Sequence, residues 1–152
     1  MQPHFTCMTL YVRVRDDGAR HRIMLFRAST ILCIDDEQTA LQLRQGVLES
    51  AGYKVLIAAT GLRGLQLFRS EPIDAVVLDY WMADMNGLQV ARTIRKLNPT
   101  VPIIILSAYD ELLDESLGIA NLWIRKGQIG PQFLLDSLRD LLGTPNPRPD
   151  FA

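Results

Sequence analysis

The sequence predicts a doubly wound α/β domain in which helices cover both faces of a five-stranded parallel sheet. Five short apolar runs lack the inward and outward alternation of a half-exposed strand, which indicates strands that are covered on both faces. These runs span residues 31–34, 55–58, 75–78, 103–106 and 122–124. Segments with helical spacing separate them, and such alternation of strand and helix is typical of α/β folds.

Four stretches predict helices, because their apolar residues recur three and four positions apart. The first of these helices spans Glu37 to Ser50. The recurring residues are, in chain order, Ala40, Leu43, Val47 and Ala51; Leu62, Leu65 and Phe68; Val90, Ile94 and Leu97; and Leu134, Leu138 and Leu141. Gly52, Pro72 and Asn98-Pro99 follow the first three helices, and residues of these types end helices.

Length and composition exclude several classes of protein. A chain of 152 residues suits one domain with a full core, and we expect that its folding does not depend on a disulfide between its two cysteines. Cys33 lies in the first apolar run as a small buried hydrophobe, and a reducing cytoplasm is the expected location. With a formal net charge of −1 and no apolar stretch of membrane-spanning length, we expect neither direct nucleic acid binding nor membrane insertion.

The two ends of the chain differ from its centre. In residues 1–28, apolar Leu10, Val12 and Val14 alternate with other residues, and Asp16-Asp17-Gly18 offers a turn before the apolar run at 23–26. This N-terminal extension is interpreted as a small hairpin, a disordered arm, or sequence upstream of a misassigned start. Residues 29–143 hold the predicted domain, and residues 144–152 form a loose, proline-rich tail that cannot continue a helix.

Polar side chains follow several of the predicted strands. Asp79 closes the third apolar run, Asp35 and Asp36 follow the first, Ser107 follows the fourth and Lys126 follows the fifth. Parallel strands all end on the same side of the sheet, so these side chains should lie close together there. We call this carboxyl-terminal end of the sheet the mouth of the site. Carboxylates that converge repel one another unless a cation compensates them, and magnesium is a hard ion that binds carboxylate and phosphate oxygens. The pattern predicts a site for magnesium and a phosphoryl group.

Each of these residues also has a purely structural interpretation. One of Asp35 and Asp36 could cap the helix that follows, and a lone Asp79 would more often be a turn residue than a nucleophile. Ser107 could be a turn hydroxyl, and Lys126 could be a solvated surface lysine. The convergence of all these groups on one mouth favours the functional interpretation.

Taken together, the motifs resemble the receiver domain of two-component response regulators. The residues that carry the resemblance are Asp35-Asp36, then Asp79 with Met82, Met85 and Gly87, then Ser107-Ala108, and finally Lys126. They occur in the family's order at nearly its spacing, over about residues 29 to 143. The resemblance implies the flavodoxin-like fold of that family, with strand order 2-1-3-4-5.

The resemblance implies that Asp79 is a phosphoacceptor and that Mg²⁺ is the cofactor. Asp79 would take its phosphoryl group from a sensor histidine kinase or a phosphotransfer protein, and the chain would catalyse its own phosphorylation and dephosphorylation rather than act as an enzyme. Asp36, Asp79 and the backbone carbonyl of Trp81 would hold the metal directly, and Asp35 would hold it through water. The signal would pass to a downstream protein target by protein contact.

The family also assigns roles to residues around the phosphoryl group. Lys126 would pair with the phosphoryl oxygens, and Ser107 would turn its hydroxyl toward them. Trp123 occupies the position of a switching aromatic whose rotamer follows that hydroxyl, and the alternative is an ordinary packing aromatic. Trp81 and Tyr109 stand where the family controls the access of water, so two bulky rings predict a long-lived acyl phosphate.

The sequence departs from the family pattern in three places. Ala83 stands where the family usually has proline, and Gly127 replaces the proline that usually follows the lysine. A Lys-Gly bond has no particular reason to be cis, so the loop after the fifth strand is expected to differ. The interval from Ser107 to Lys126 is shorter than in the family by about one helical turn, which predicts a shortened fourth helix.

Two alternatives to a phosphorylated receiver stay open. A degenerate receiver would bind partners without phosphorylation, in view of the departures at Ala83 and Gly127. An aspartyl-phosphate phosphatase of the haloacid dehalogenase type would need Asp-x-Asp-x-Thr, whereas Glu37 occupies the second acidic place here. No DNA-binding module follows the receiver in this sequence, so we expect a stand-alone receiver.

Overall fold

The computed structural model describes residues 9–15, 21–109, 118–127 and 130–143. The chain divides into two compact units, one formed by Ser29–Leu142 and the other by Met1–Ala28 with Gly143–Ala152. The described strands are β1 (Thr9–Arg15), β2 (His21–Arg27), β3 (Thr30–Ile34), β4 (Lys54–Ala58), β5 (Ala75–Asp79), β6 (Ile103–Ser107) and β7 (Leu122–Arg125). The described helices are α1 (Gln38–Ser50), α2 (Gly61–Ser70), α3 (Gly87–Leu97) and α4 (Pro131–Leu142).

The larger unit contains a five-stranded parallel sheet with the order β4-β3-β5-β6-β7. Counted along the chain within this sheet, the order is 2-1-3-4-5, so the doubly wound α/β fold and its strand order are confirmed. Because β3 lies between β4 and β5, the winding direction reverses there. Sheets of this kind bind ligands beyond the carboxyl ends of the strands at such a reversal.

Two apolar layers cover the sheet, with α2 and α3 on one face and α1 and α4 on the other. Alternate residues of β3 belong to opposite layers: Leu32 and Ile34 pack with α2 and α3, whereas Ile31 and Cys33 pack with α1 and α4. All residues of β3 are buried, which explains why this strand reads as a continuous apolar run. Burial raises the pKa of the Cys33 thiol to about 12, so Cys33 stays neutral.

The helix predicted from Ala40, Leu43, Val47 and Ala51 is present as α1, but its buried side is a different one. Leu41 and Leu48 are 1% and 0% exposed, whereas Leu43 is 68% exposed. Both sets of apolar residues fit helical spacing, and only packing against the sheet decides which of them is buried. Leu62 in α2 and Leu97 at the end of α3 are also large exposed hydrophobic residues.

The smaller unit contains an antiparallel hairpin. β1 pairs with β2 from Thr9 opposite Arg27 to Arg15 opposite His21. Two predictions fall on residues outside the described part of the chain, namely the shortened fourth helix at 110–117 and the proline-rich tail at 144–152. Among the described residues, no helix combines the length and apolar character needed to cross a membrane.

Candidate functional site

The carboxyl ends of neighbouring strands bring the predicted site residues to one edge of the sheet. Asp35 follows β3, Asp79 ends β5, Ser107 ends β6 and Lys126 follows β7. The amide of Lys126 donates to the carbonyl oxygen of Ser107 at 2.7 Å, so the parallel pairing continues to the mouth of the site. The sheet therefore places these side chains at neighbouring positions.

Three carboxylates form the acidic part of the site. Asp35, Asp36 and Asp79 each offer an oxygen, and these oxygens lie within 4.8 Å of one another. Asp35 is 0% and Asp79 5% exposed, whereas Asp36 is exposed. This donor set fits Mg²⁺, which takes oxygen ligands, uses one or two carboxylates and keeps several waters. The open side at Asp36 gives those waters room.

Asp35 is held by three donors. Its Oδ1 accepts the N–H of Glu37 at 3.0 Å, and its Oδ2 accepts Nη2 of Arg44 at 3.2 Å and Nζ of Lys126 at 3.3 Å. Glu37 is itself the N-cap of α1, and it makes no side-chain cap hydrogen bond. Asp35 thus contacts the N–H of the N-cap residue rather than an N–H inside the first helical turn.

Asp79 and Lys126 form an ion pair, with Nζ 2.8 Å from Asp79 Oδ1. Their side chains are 7% and 30% exposed, so the lysine reaches inward rather than into solvent. Burial raises the pKa of the Asp79 carboxyl above its usual value, and the hydrogen bond and charge of Lys126 oppose that rise. The ammonium therefore favours the ionised form of a carboxylate that burial disfavours.

The side chains of Ser107 and Trp123 both pack against other residues of the protein. Ser107 is 0% exposed, and its hydroxyl oxygen accepts the N–H of Tyr109 at 3.2 Å, as a turn hydroxyl does. The ring of Trp123 lies 5.3 Å from that of Tyr80, between centroids. Nε1 of Trp123 is buried and has no hydrogen-bond partner among the described residues. The switching roles of Ser107 and Trp123 stay predictions, as does the metal-binding carbonyl of Trp81.

The loop between β5 and α3 is attached on both of its sides. The N–H of Ala83 donates to Asp36 Oδ2 at 3.0 Å. Asp84 accepts the N–H groups of Gly61 and Leu62, at the start of α2, at 3.1 and 3.0 Å. These contacts hold the residues that follow β5 in place.

The start of α3 packs directly against the end of β5. Asn86 and Gln89 form a capping box, in which each side chain accepts the backbone N–H of the other residue. The N–H of Gly87 donates to the carbonyl oxygen of Tyr80 at 2.7 Å. A Cβ atom at Gly87 would overlap the backbone oxygen of Asp79. Glycine is required here because the two backbones approach so closely.

Two aromatic rings flank the mouth of the site. Trp81, two residues after Asp79, is 54% exposed, and Tyr109, two residues after Ser107, is 58% exposed. Their ring centroids are 6.5 Å apart and their planes lie at 90°, an edge-to-face contact. The rings contact each other rather than pointing separately into solvent. Their effect on the lifetime of an acyl phosphate stays a prediction.

The structure gives a physical reason for two of the three sequence departures, those at Gly127 and Ala83. Gly127 has φ +80°, a conformation that proline, fixed near φ −65°, cannot adopt. Ala83 uses its N–H to bind the carboxylate of Asp36, and proline has no N–H to donate. The described residues contain no cis peptide bond. Both replacements are therefore compatible with an intact site.

Sequence reasoning missed two residues of the site. Arg44 lies three positions after Leu41 and four before Leu48, the buried residues of α1, so an arginine on that stripe was the available signal. Asp84 binds N–H groups that are 22 and 23 positions away in the chain, and no local pattern reveals such a contact.

The chain is similar in sequence to one protein family and to several longer proteins. The model of the response regulator receiver domain family matches residues 31–119. The alkaline phosphatase synthesis transcriptional regulatory protein PhoP of Bacillus subtilis (strain 168) is 36% identical over 89 residues, which are 59% of this chain and 37% of that protein. The transcriptional regulatory protein ZraR of Klebsiella oxytoca is 34% identical over 82 residues, 54% of this chain and 18% of that one. The chain thus spans less than two fifths of these relatives.

Solved structures match over almost their whole length. A CheY-like response regulator receiver domain protein from Methanospirillum hungatei JF-1 superposes with a TM-score of 0.71 and 30% identity, over 76% of this chain and 94% of that one. The response regulator TrrA from Thermotoga maritima, crystallised in complex with Mg²⁺ and BeF, gives a TM-score of 0.70 and 31% identity, over 74% and 98%.

Proposed function

Because this chain belongs to the response regulator receiver domain family, we propose that it is a phosphoacceptor in a two-component system or phosphorelay. Asp79 would take the phosphoryl group from the phosphohistidine of a histidine kinase or phosphotransfer protein. The observation that carries the proposal is the 2.8 Å contact of Lys126 with Asp79, beside two further carboxylates. This arrangement pairs a nucleophile with a cation at a site that fits a metal ion.

In the proposed reaction the protein forms and breaks few covalent bonds. An oxygen of Asp79 attacks phosphorus, the P–N bond to the donor's imidazole breaks in line, and the imidazole keeps that electron pair. Such transfers depend on positioning and on neutralising the spread negative charge of the phosphoryl oxygens. The Lys126 ammonium supplies one positive charge at Asp79. Hydrolysis of the acyl phosphate by water would reset the site.

Magnesium, when bound, would supply the remaining neutralisation of the phosphoryl oxygens. The residues proposed to hold it are Asp36, Asp79 and the carbonyl of Trp81 directly, and Asp35 through water. The hydrogen bonds support this division, because Asp35 already accepts three donors whereas Asp36 accepts one from Ala83. The BeF complex of the Thermotoga maritima relative contains Mg²⁺, which agrees with this choice of ion.

The proposed output is a change in protein contacts on phosphorylation. Ser107 would turn its hydroxyl from the N–H of Tyr109 toward the phosphoryl group, and Trp123 would follow. The buried indole N–H of Trp123 has no hydrogen-bond partner in the described part of the chain, and it supports this proposal because such a donor gives up little when the ring moves. The downstream protein would recognise the moved ring and its neighbours.

A phosphorylation assay with a small acyl phosphate or phosphoramidate donor and magnesium tests the function. The expected result is a mass increase of one phosphoryl group on the intact chain, which hydroxylamine removes as it does from acyl phosphates. Rapid donor consumption without retained label would indicate a phosphatase. Neither label nor consumption would indicate a degenerate receiver that binds partners without phosphorylation.

A further inference from the structure

An arginine lies on the buried stripe of α1. Leu41 and Leu48, which flank Arg44 on this stripe, are 1% and 0% exposed, and the Arg44 side chain is 9% exposed. Burying a guanidinium is costly unless an opposite charge compensates it. The compensating group is Asp35, whose Oδ2 lies 3.2 Å from Nη2 of Arg44.

Asp35 is the acceptor that the structure shows for the Arg44 guanidinium. Nη1 of Arg44 is buried and has no hydrogen-bond partner in the described part of the chain, so no second described acceptor accounts for the position of the guanidinium. The Asp35 side chain is 0% exposed and cannot exchange this partner for bulk water. The two residues therefore form an internal ion pair at the floor of the acidic site.

The donors around Asp35 limit what else it can bind. A carboxylate has about four lone-pair sites. Asp35 uses them to accept the N–H of Glu37 and the two cations Arg44 and Lys126. Little capacity remains for a direct bond to a metal ion, whereas Asp36 and Asp79 each accept fewer donors among the described residues.

The guanidinium also changes the charge that a metal ion meets. The three carboxylates carry three negative charges, which Lys126 and Arg44 reduce to a formal −1, whereas Lys126 alone would leave −2. A nearby positive charge repels a divalent cation, and the repulsion is strongest where water is excluded. Arg44 therefore opposes metal binding at the same site where the carboxylates favour it.

We propose that Arg44 is a resident counter-ion of the metal site, which keeps Asp35 from binding the metal directly and lowers the affinity for Mg²⁺. This inference rests on the proposed function, because it assumes that the acidic site holds magnesium. Arg44 also keeps the buried Asp35 compensated when Lys126 leaves it for a phosphoryl group. Arg44 is thus a positioning residue that acts through Asp35.

Isothermal titration of MgCl₂ into the unphosphorylated chain tests the inference without any phosphodonor. Arg44→Met removes the charge and keeps the length of the side chain, and we expect it to bind Mg²⁺ about tenfold more tightly than wild type. Arg44→Lys keeps the charge and should stay within about twofold of wild type. Arg69→Met, at an exposed residue in the last turn of α2, changes the net charge equally and should leave the affinity unchanged.

Equal or weaker binding by Arg44→Met would overturn the inference, as would a change in Arg69→Met of the same size. If Arg44→Met does not fold, Arg44→Lys decides alone, and binding by that variant at least tenfold tighter than wild type would overturn it. No binding by any variant would overturn both this inference and the metal site of the proposed function. Wild type that binds magnesium while Asp79→Asn still accepts label would overturn the proposed function only.

Discussion

Lys126 Nζ lies 2.8 Å from Asp79 Oδ1, although the strand β6 separates the two strands that carry these residues. The same ammonium lies 3.3 Å from Asp35 Oδ2. One ammonium therefore contacts two carboxylates at once. Because a phosphoryl group on Asp79 would bring new oxygens within reach of Lys126, this ammonium is the group whose contacts should change most on phosphorylation.

Asp79→Asn should abolish labelling from a phosphodonor and leave the fold intact. Asparagine has nearly the same shape as aspartate, but its amide cannot attack phosphorus. The measurement is incorporation of label by the intact chain, with circular dichroism as the check on folding. Asp140→Asn, at an exposed residue of α4, is the matched control and should label like wild type. Equal labelling of Asp79→Asn and wild type would mean that another residue is the nucleophile.

The same variant should be more stable than wild type at neutral pH. Burial raises the pKa of Asp79 above 3.8, so the folded state holds the proton more tightly than the unfolded state does. The stabilisation by protonated Asp79 is complete at acid pH and is lost as the pH rises through the raised pKa. Urea denaturation should therefore show a gain for Asp79→Asn at pH 7 that shrinks as the pH falls toward 3.8. A gain that is independent of pH would contradict this explanation.

Magnesium should stabilise the unphosphorylated fold. At a concentration ten times its Kd, a ligand of the folded state adds about 1.4 kcal/mol to the free energy of unfolding. Asp36→Asn should reduce this gain and raise the stability without metal, because it relieves repulsion among the three carboxylates. Thermal melts with and without millimolar MgCl₂ measure both effects. Wild type that shows no shift at millimolar metal would argue against a preformed site.

Trp81→Asn combined with Tyr109→Glu should shorten the lifetime of the acyl phosphate. The two rings are in edge-to-face contact close in sequence to Asp79 and Ser107, and hydrolysis needs a water in line behind phosphorus, which such rings should hinder. Loss of label is followed after the donor is removed. Phe133→Asn removes an exposed ring of α4 and serves as the control for general loss of aromatic surface. Unchanged or slower decay in the double variant would exclude shielding by these rings.

Gly87→Ala and Gly46→Ala should have opposite effects on stability. A Cβ at Gly87 would meet Leu78 Cδ1 at 2.7 Å as well as the backbone of Asp79, so we expect a loss of about 3 kcal/mol. Gly46 has no atom within 4 Å of such a Cβ and lies inside α1, where alanine should add about 0.5–1 kcal/mol. Chemical denaturation of both variants provides the comparison. A stable Gly87→Ala would show that the backbones can separate there.

The sheet and its strand-end residues could be predicted because both depend on local pattern. The continuous apolar run before Asp79 marks a strand buried on both faces, and a polar residue at its end must lie at the carboxyl-terminal end of the sheet. The contacts of Asp84 could not be predicted in this way, since its partners lie on another helix. The buried side of α1 could not be predicted either, because the repeat that contains Leu43 and the pair Leu41 and Leu48 both fit helical spacing. Packing against the sheet selects between them.

Arg44 shows a different limit. A charged residue on a helix is normally assigned to the solvent face, and that assumption hides a guanidinium whose partner is also buried. The contact forms because Asp35 lies at the end of β3, on the side of the sheet that α1 covers. Ala83 and Gly127, by contrast, are departures that the sequence itself shows, and the structure gives the reason for each.

The attachments of the loop at residues 80–86 have a consequence for how homologous chains can diverge. Ala83 meets Asp36 and Asp84 meets the start of α2, and the capping box of Asn86 follows at once. Inserting or deleting one residue would move all three attachments out of register together. Homologous chains should therefore differ in this loop by substitutions at constant length. A grafted loop of any other length should fail to restore the three attachments.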